Sequence, residues 1–167
     1  MSLHPIEFQT FTPEVLDVFA SRNALLTVGD RRECNTMTIG WCGLGRMWQL
    51  PACTVYVRPE RYTYSFLERF DSFTVSVFSP EWKKQIAYCG SKSGRDVDKV
   101  KECGFTVDLG AGDAPYFREA DWVLVCRKRY AQDLKPECCL DPRIAQWYVG
   151  MGWHRMYIGE IVEAYAR

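Results

Sequence analysis

Residues 119–134 read EADWVLVCRKRYAQDL. The stretch alternates over a length that exceeds an ordinary strand. Residues 154–167, HRMYIGEIVEAYAR, repeat that behaviour. Two strands of this length cannot lie straight in a flat sheet, so they must bend. Long bent strands separated by short helices point to a mainly β fold, a small antiparallel β-barrel. Long helices do not alternate regularly with the strands, which argues against a doubly wound α/β fold.

The neighbouring segments agree. DSFTVSVFS (71–79) has period two, with Phe73, Val75 and Val77 on one face. ACTVYVRP (52–59) is rich in β-formers and stops at Pro59. NALLTVGD (23–30), the turn GDRRE (29–33) and CNTMTIGW (34–41) read as a hairpin, with a glycine-rich loop after it. Short helices are expected at 12–21, where Thr12 caps and Pro13 takes the first turn, and at 62–70 with Phe66, Leu67 and Phe70 inward. PEWKKQIAYCG (80–90) opens on proline and acid and closes on glycine; DVDKVKECG (96–104) has Asp96 as cap and Gly104 as stop.

The 167 residues fit one domain, 1–167. Lysines plus arginines and aspartates plus glutamates balance at 21 each, so no overall basic field exists to hold a nucleic acid. No apolar run approaches the ~20 residues of a membrane span. MSLHPIEFQTF at the start lacks the regions of a signal peptide, so a cytoplasmic location is expected. The eight cysteines include no Cys-x-x-Cys pair, and the histidines are His4 and His154, a poor basis for a zinc site. Reduced, mostly buried thiols are the expectation, with the adjacent Cys138 and Cys139 the best candidates for oxidation.

Four stretches could carry chemistry. CGSKSGRD (89–96) is neither a Walker loop nor a Gly-x-Gly-x-x-Gly turn. It leads to a helix start and offers Ser91, Lys92, Ser93 and Arg95 to an anion, though a solvated connection between helices reads the same way. VRPERYTYSF (57–66) is a second cationic helix start, unless Arg58 and Arg61 merely pair with Glu60 or Glu68. In CNTMTIGWCGLG (34–45), Asn35, Thr36 and Thr38 put polar groups into a half-buried strand, Met37 and Trp41 supply apolar contacts, and glycines admit a close ligand. In GWHRMYIG (152–159), His154 has no nucleophile partner, and a lone histidine among aromatics is more often structural. Two cationic helix starts and one polar strand suit a phosphorylated flat cofactor better than a free anion.

NTMTIGW (35–41), 50–78, CGSKSGRDVDKVKECGFT (89–106), 119–134 and HRMYIGEIVEAY (154–165) together resemble the flavin reductase-like family, the FMN-binding split-barrel proteins that include flavoredoxins. The resemblance spans roughly 23–165 and rests on the order and spacing of these blocks. It implies a homodimeric split β-barrel with FMN near the subunit interface. It implies that Thr36, Met37 and Thr38 line the isoalloxazine ring. The ribityl phosphate would be held by Arg61, Tyr62 and Thr63 from one side, and by Cys89, Gly90, Ser91, Lys92, Ser93 and Arg95, with Lys99, from the other. Trp153 and His154 would lie near the flavin. Cys42 stands where many relatives are expected to have a second glycine.

The function so implied is an FMN-dependent oxidoreductase, either an NAD(P)H:flavin reductase or a flavoredoxin-like electron carrier. NADH, NADPH or a reduced redox protein would be the donor. Such chemistry needs alignment and a dry face, which agrees with the lack of a catalytic triad. Three other readings stay open here: a non-enzymatic FMN-binding protein, a small-anion or nucleotide module without flavin, and redox transfer through cysteines. The aromatics of IAQWYVGMGWHRMY (144–157) exceed what a small monomer leaves wet, and either cover a partner's cofactor or complete the barrel.

Overall fold

A computed structural model describes residues 2–7, 15–22 and 24–167. Strand β1 (His4–Pro5) precedes a helical segment, α over Val15–Asp17 (α1) and π over Val18–Arg22. The expected helix at 12–21 is thus helical from Val15 on, while its Thr12 cap and Pro13 lie outside the described residues. The hairpin read from the sequence is present as β2 (Ala24–Gly29) and β3 (Cys34–Ile39). Its turn is closed by Asp30, whose carboxylate accepts from the N–H groups of Arg32 and Glu33.

The following glycines do not form a loose loop. Gly43 and Gly45 lie inside β4 (Cys42–Met47), opposite Thr54 and Ala52 of β5 (Leu50–Val57). Trp48 and Gln49 turn between them with φ of 51° and 64°, the left-handed pair that matches strand twist in a two-residue hairpin. Helix α2 (Tyr62–Arg69), strand β6 (Ser72–Val77) and helix α3 (Lys83–Ser91) fall where the sequence put them. Helix α4 (Lys99–Cys103) is shorter than expected: its cap is Asp98, which accepts from Lys101 N–H, and not Asp96. Asp96 belongs to a turn in which Asp96 and Val97 N–H reach Ser93 O. Gly104 ends α4 in the left-handed conformation, as read. A short hairpin, β7 (Val107–Gly110) with β8 (Ala114–Phe117), has no clear signal in its glycine-rich sequence. The two long strands are β9 (Trp122–Asp133) and β10 (Arg155–Ala166).

One eight-stranded antiparallel sheet runs β3-β2-β6-β9-β10-β5-β4, with β1 added to β10. Hydrogen bonding leaves β3 and β4 as its two ends, so no closed barrel forms among the described residues. The β9–β10 pairing breaks register between Ile158 and Gly159 and between Ile161 and Glu163. These are the irregularities that bend strands of this length.

The sheet is apolar on both faces, which explains why β2 and β6 are buried almost throughout. Leu26, Leu124 and Cys126 join Phe73, Val75 and Val77 in the core on one face. Their neighbours Leu25, Val123 and Val125 face the other way, against α3, β8 and Phe78, Phe105 and Phe117. Phe105 and Phe117 stack at 4.5 Å. Thr74, between two core residues, hands its hydroxyl proton to Pro115 O at 2.6 Å, so its burial leaves no orphaned donor. Arg155 joins Glu68 of α2 to Asp133 of β9, and Tyr157 also donates to Glu68, fixing α2 to the sheet.

At the first register break the main chain passes against a ring. A Cβ at Gly159 would lie 2.7 Å from the edge of Phe73 and 2.8 Å from the Cys126 Cβ. Gly159→Ala is expected to lower stability by ~1–3 kcal/mol through overpacking, read as a fall in urea midpoint at unchanged slope. An unchanged midpoint would show that the strands yield there.

Candidate functional site

Among the described residues strand β3 pairs with β2 alone and keeps one edge free. Thr36 O points to that edge, where the Lys99 ammonium donates to it at 2.8 Å. Main-chain groups of alternate residues share an edge, so those of Thr38 face the same way. The Thr36 side chain turns inward instead: its hydroxyl donates to Leu26 O and accepts from Thr27. Thr36 therefore reaches the free edge through its backbone.

Three segments meet at this edge. The C-terminal part of α3 and the loop after it carry Cys89 to Arg95, the start of α2 brings Arg61, Tyr62 and Thr63, and α4 brings Lys99. They enclose a cavity of about 170 Å³ that is also lined by Met37, Thr38, Asn35 and Glu60. Cross-links hold the walls. Thr38 donates to Ile86 O at 2.5 Å, and Asn35 Nδ2 donates to the Thr63 hydroxyl at 2.7 Å. The glycines let the loop lie flat on β3. A Cβ at Gly90 would stand 3.0 Å from Thr38 Oγ1, and one at Gly94 would stand 1.9 Å from Asn35 Oδ1.

The electrostatics are one-sided. Among the described residues no carboxylate forms an ion pair with Arg61, Lys92, Arg95 or Lys99. The alternative in which Arg58 and Arg61 pair with Glu60 or Glu68 is not realised: Glu68 holds Arg155, and Glu60 accepts from Gly152 N–H. Lys99 is only 6% exposed and donates also to Cys89 O at 2.8 Å. Its burial lowers its pKa, because an ammonium with carbonyls but no counter-ion is poorly solvated there. Arg95 lies over the Tyr62 ring at 4.8 Å.

Met37, Thr38 and Arg61 also line a second, neighbouring compartment of about 390 Å³. Its lining is aromatic: Trp41 from the β3–β4 connection, Tyr56 from β5, and Trp147 and His154 from the chain before β10, together with Arg58 and Met151. His154 lies 4.7 Å from the Trp41 ring and shares a hydrogen bond of 3.0 Å between Nδ1 and the Tyr148 hydroxyl. Trp153 lines neither space; it stacks on Tyr148 at 4.0 Å and 8°. The structure thus brings twelve expected residues to the cavity (Met37, Thr38, Arg61, Tyr62, Thr63, Cys89, Gly90, Ser91, Lys92, Ser93, Arg95 and Lys99), His154 to the compartment, and Thr36 through its backbone. Asn35 and Glu60 join them; for Asn35 the signal was an amide inside an apolar strand, whereas nothing local marked Glu60.

The thiols are poorly set for redox exchange. Cys89 and Cys103 touch at 3.8 Å and Cys42 and Cys53 at 3.6 Å, all as free thiols. Burial pushes the Cys89 thiol up to about 12 and Cys34 up to about 11, and Cys53 and Cys103 are raised too. Of the adjacent pair, Cys138 is exposed and Cys139 partly so. Among the described residues no cluster of ligands able to hold a metal ion occurs, and no helix is long and apolar enough to cross a membrane.

Residues 16–167 match the family model described as the flavin reductase like domain. No curated protein matches the chain. Among solved structures, the flavoredoxin of Methanosarcina acetivorans is 24% identical, with a TM-score of 0.72 over 94% of this chain and 74% of that one. The FMN-binding domain of a flavin reductases-like enzyme from Shewanella baltica is 18% identical, at 0.69 over 98% and 76%. The NADH:FAD oxidoreductase of Streptomyces globisporus C-1027 is 20% identical, at 0.65 over 85% and 73%. At these identities the likeness is one of fold.

His154 offers a direct check of the compartment. Burial, with Arg58 and Arg61 nearby, lowers its pKa from 6.5 to about 4. As pH falls from 6.5 the unfolded chain takes up the proton first. The stability contributed by neutral His154 is therefore complete above about pH 6.5 and lost progressively down to about pH 4. An NMR titration, assigned with His154→Gln, should give a midpoint near about 4. A midpoint near 6.5 would mean a solvated ring and an open compartment.

Proposed function

The chain belongs to the flavin reductase-like domain family, and from that premise we propose that it is an FMN-binding oxidoreductase. The cavity takes the ribityl phosphate and the aromatic compartment takes the isoalloxazine ring. One observation carries this reading: Arg61, Lys92, Arg95 and Lys99, none of them ion-paired among the described residues, converge on a small cavity that shares Met37, Thr38 and Arg61 with an aromatic compartment. A dianionic phosphate suits that deficit, since charge-assisted hydrogen bonds to it would replace water around four cations. The glycine contacts fit as well, because they let the end of α3 and the loop after it pack closely on the Thr38 and Asn35 side chains beside the cavity.

When bound, the flavin supplies the two-electron chemistry. The protein's own residues hold and orient it. Lys92 and Arg95 grip from the loop, Arg61 from the start of α2, and buried Lys99 from below. The main chain of Thr36 and Thr38 offers donors and acceptors at the edge of β3. Trp41 and His154 border the ring space and exclude water, and neutral His154 adds no charge to it. NADH or NADPH is the proposed donor, with a reduced redox protein as the alternative.

The rest of the reading follows the family. The 1–167 chain acts as one cytoplasmic domain, a split barrel whose gap lies between β3 and β4, and it works as a homodimer. Trp147, Val149 and Met151 are 57%, 78% and 53% exposed, which favours a second copy over that segment. The non-enzymatic FMN-binding reading predicts the same cavity and differs only in turnover. Transfer through Cys42 and Cys89 is disfavoured by the raised pKa values of these two thiols.

An absorption spectrum of the purified protein with FMN, then with NADH or NADPH under anaerobic conditions, tests both halves. Yellow protein that bleaches is expected. Protein that binds FMN and bleaches with no donor, a reduced redox protein included, would leave only the binding function. Lys92→Ala with Arg95→Ala should weaken FMN binding about a hundredfold, taking ~1.5 kcal/mol for each charged hydrogen bond lost, with folding retained. Unchanged affinity in that double variant would place the phosphate elsewhere.

A further inference from the structure

The run Arg58-Pro59-Glu60-Arg61 ends β5 and leads into α2. Arg61 and Glu60 line the cationic cavity and Arg58 the aromatic compartment, and the Arg58 guanidinium and Glu60 carboxylate also reach across to a different part of the chain, residues 141–152. That segment holds itself together weakly. It is a 3-10 helix over Pro142–Tyr148 and a turn, and within the helix Tyr148 is the one buried residue. Its remaining apolar side chains, Ile144, Trp147, Val149 and Met151, are exposed. It nevertheless supplies one wall of the aromatic compartment.

Four contacts fasten it to the 58–60 run. Arg58 Nη2 donates to Trp147 O at 3.0 Å, and Nη1 donates to the Met151 sulfur. The guanidinium also lies 5.5 Å from the centre of the Tyr148 ring. Glu60 Oε1 accepts from Gly152 N–H at 2.6 Å. Gly152 is required for that approach, because a Cβ there would stand 2.5 Å from the same carboxylate oxygen. Held in this way, Trp147 lies edge-on to Trp41 at 6.4 Å, and Tyr148 reaches His154.

We propose that Arg58 and Glu60 are positioning residues that clamp residues 141–152 as the outer wall of the aromatic compartment, and that this wall sets how a planar second reactant reaches the ring. The second half rests on the flavin reading; the clamp itself does not. Arg58 acts through Trp147, Tyr148 and Met151, and Glu60 acts through Gly152. Cofactor anchoring stays with Arg61, Lys92, Arg95 and Lys99, so retention of FMN and access of the second reactant are separable. Consecutive residues of one turn then serve the two tasks, 58 and 60 for the wall and 61 for the phosphate.

The test uses the full chain with FMN added and compares Arg58→Ala, Gly152→Ala, Glu60→Ala and Glu60→Gln. Gly152→Ala breaks the clamp from the opposite side, and circular dichroism confirms folding of each variant. Trypsin cleavage after Arg143, mapped by mass spectrometry, reports the segment. Fluorescence titration gives the FMN Kd, and NADH and NADPH give KM and kcat. For Arg58→Ala, Gly152→Ala and Glu60→Ala we expect cleavage about fivefold faster and a donor KM about tenfold higher; for Gly152→Ala, at a residue that lines neither space, kcat and FMN Kd should stay within about twofold, the pattern of a lost interaction outside the cofactor site. Glu60→Gln, whose amide oxygen still accepts from Gly152, should stay near wild type. Unchanged cleavage in both Arg58→Ala and Gly152→Ala would overturn the clamp. Faster cleavage with unchanged KM would overturn the role in access, and a rise in FMN Kd of Gly152→Ala matching that in its KM would make the clamped segment part of the cofactor site. Wild-type protein that takes up no FMN would sink the flavin reading and the access role with it, while the cleavage rates would still judge the clamp.

Discussion

The Lys99 ammonium, buried between Thr36 O and Cys89 O, is the constraint around which the site is arranged. It joins β3, α3 and α4 through one charged group. Two carbonyls satisfy part of its hydrogen-bonding capacity but none of its charge. A buried cation without a counter-ion is costly, and its lowered pKa expresses that cost. An anion arriving in the adjoining cavity relieves it, and Arg61, Lys92 and Arg95 strengthen the same demand. The stability of the apo protein and the affinity of the site are thus opposed at one residue.

The sheet makes this arrangement possible. Because both faces of β2, β6 and β9 are covered, the hydrogen-bonding edge of β3 is the place where polar main chain meets solvent near the helices. An open edge is ordinarily a liability for aggregation. Here α2, α3 and α4 surround it, and the Lys99 ammonium donates to Thr36 O where a partner strand would have donated an N–H. The glycines at 90 and 94 allow the end of α3 and the loop after it to pack on the Thr38 and Asn35 side chains of β3.

The aromatic compartment is built differently. One wall belongs to the rigid sheet, through Trp41 and Tyr56; the other belongs to a segment with little core of its own. Arg58 and Glu60 connect the two. The cationic cavity is consequently held by elements with buried faces, whereas the aromatic compartment depends on a few exposed polar contacts. Such contacts are individually weak and readily tuned by substitution. The compartment can therefore vary while the cationic cavity keeps its form.

Local patterns in the sequence were enough for much of this. Period-two runs, proline and glycine stops and the Asp-Arg-Arg turn marked the hairpin at 23–41, helix α2, helix α3 and both long strands, because each is dictated by neighbours in the chain. The cationic loop at 91–95 and the arginine at 61 were also visible as residue types. Strand β4 was not, since Gly43 and Gly45 are weak strand formers and β5 supplies the pairing that holds them. Asp98 rather than Asp96 caps α4 because the Ser93 turn takes up Asp96 first. The sequence by itself determined which residues carry charge, which alternate into the core and where the chain must turn. Only the tertiary structure decided that Thr36 points inward, that Lys99 is buried without a counter-ion, that four cations face one cavity, and that Arg58 and Glu60 hold a segment some ninety residues away. Those outcomes depend on long-range packing and on the removal of water, which no local pattern encodes.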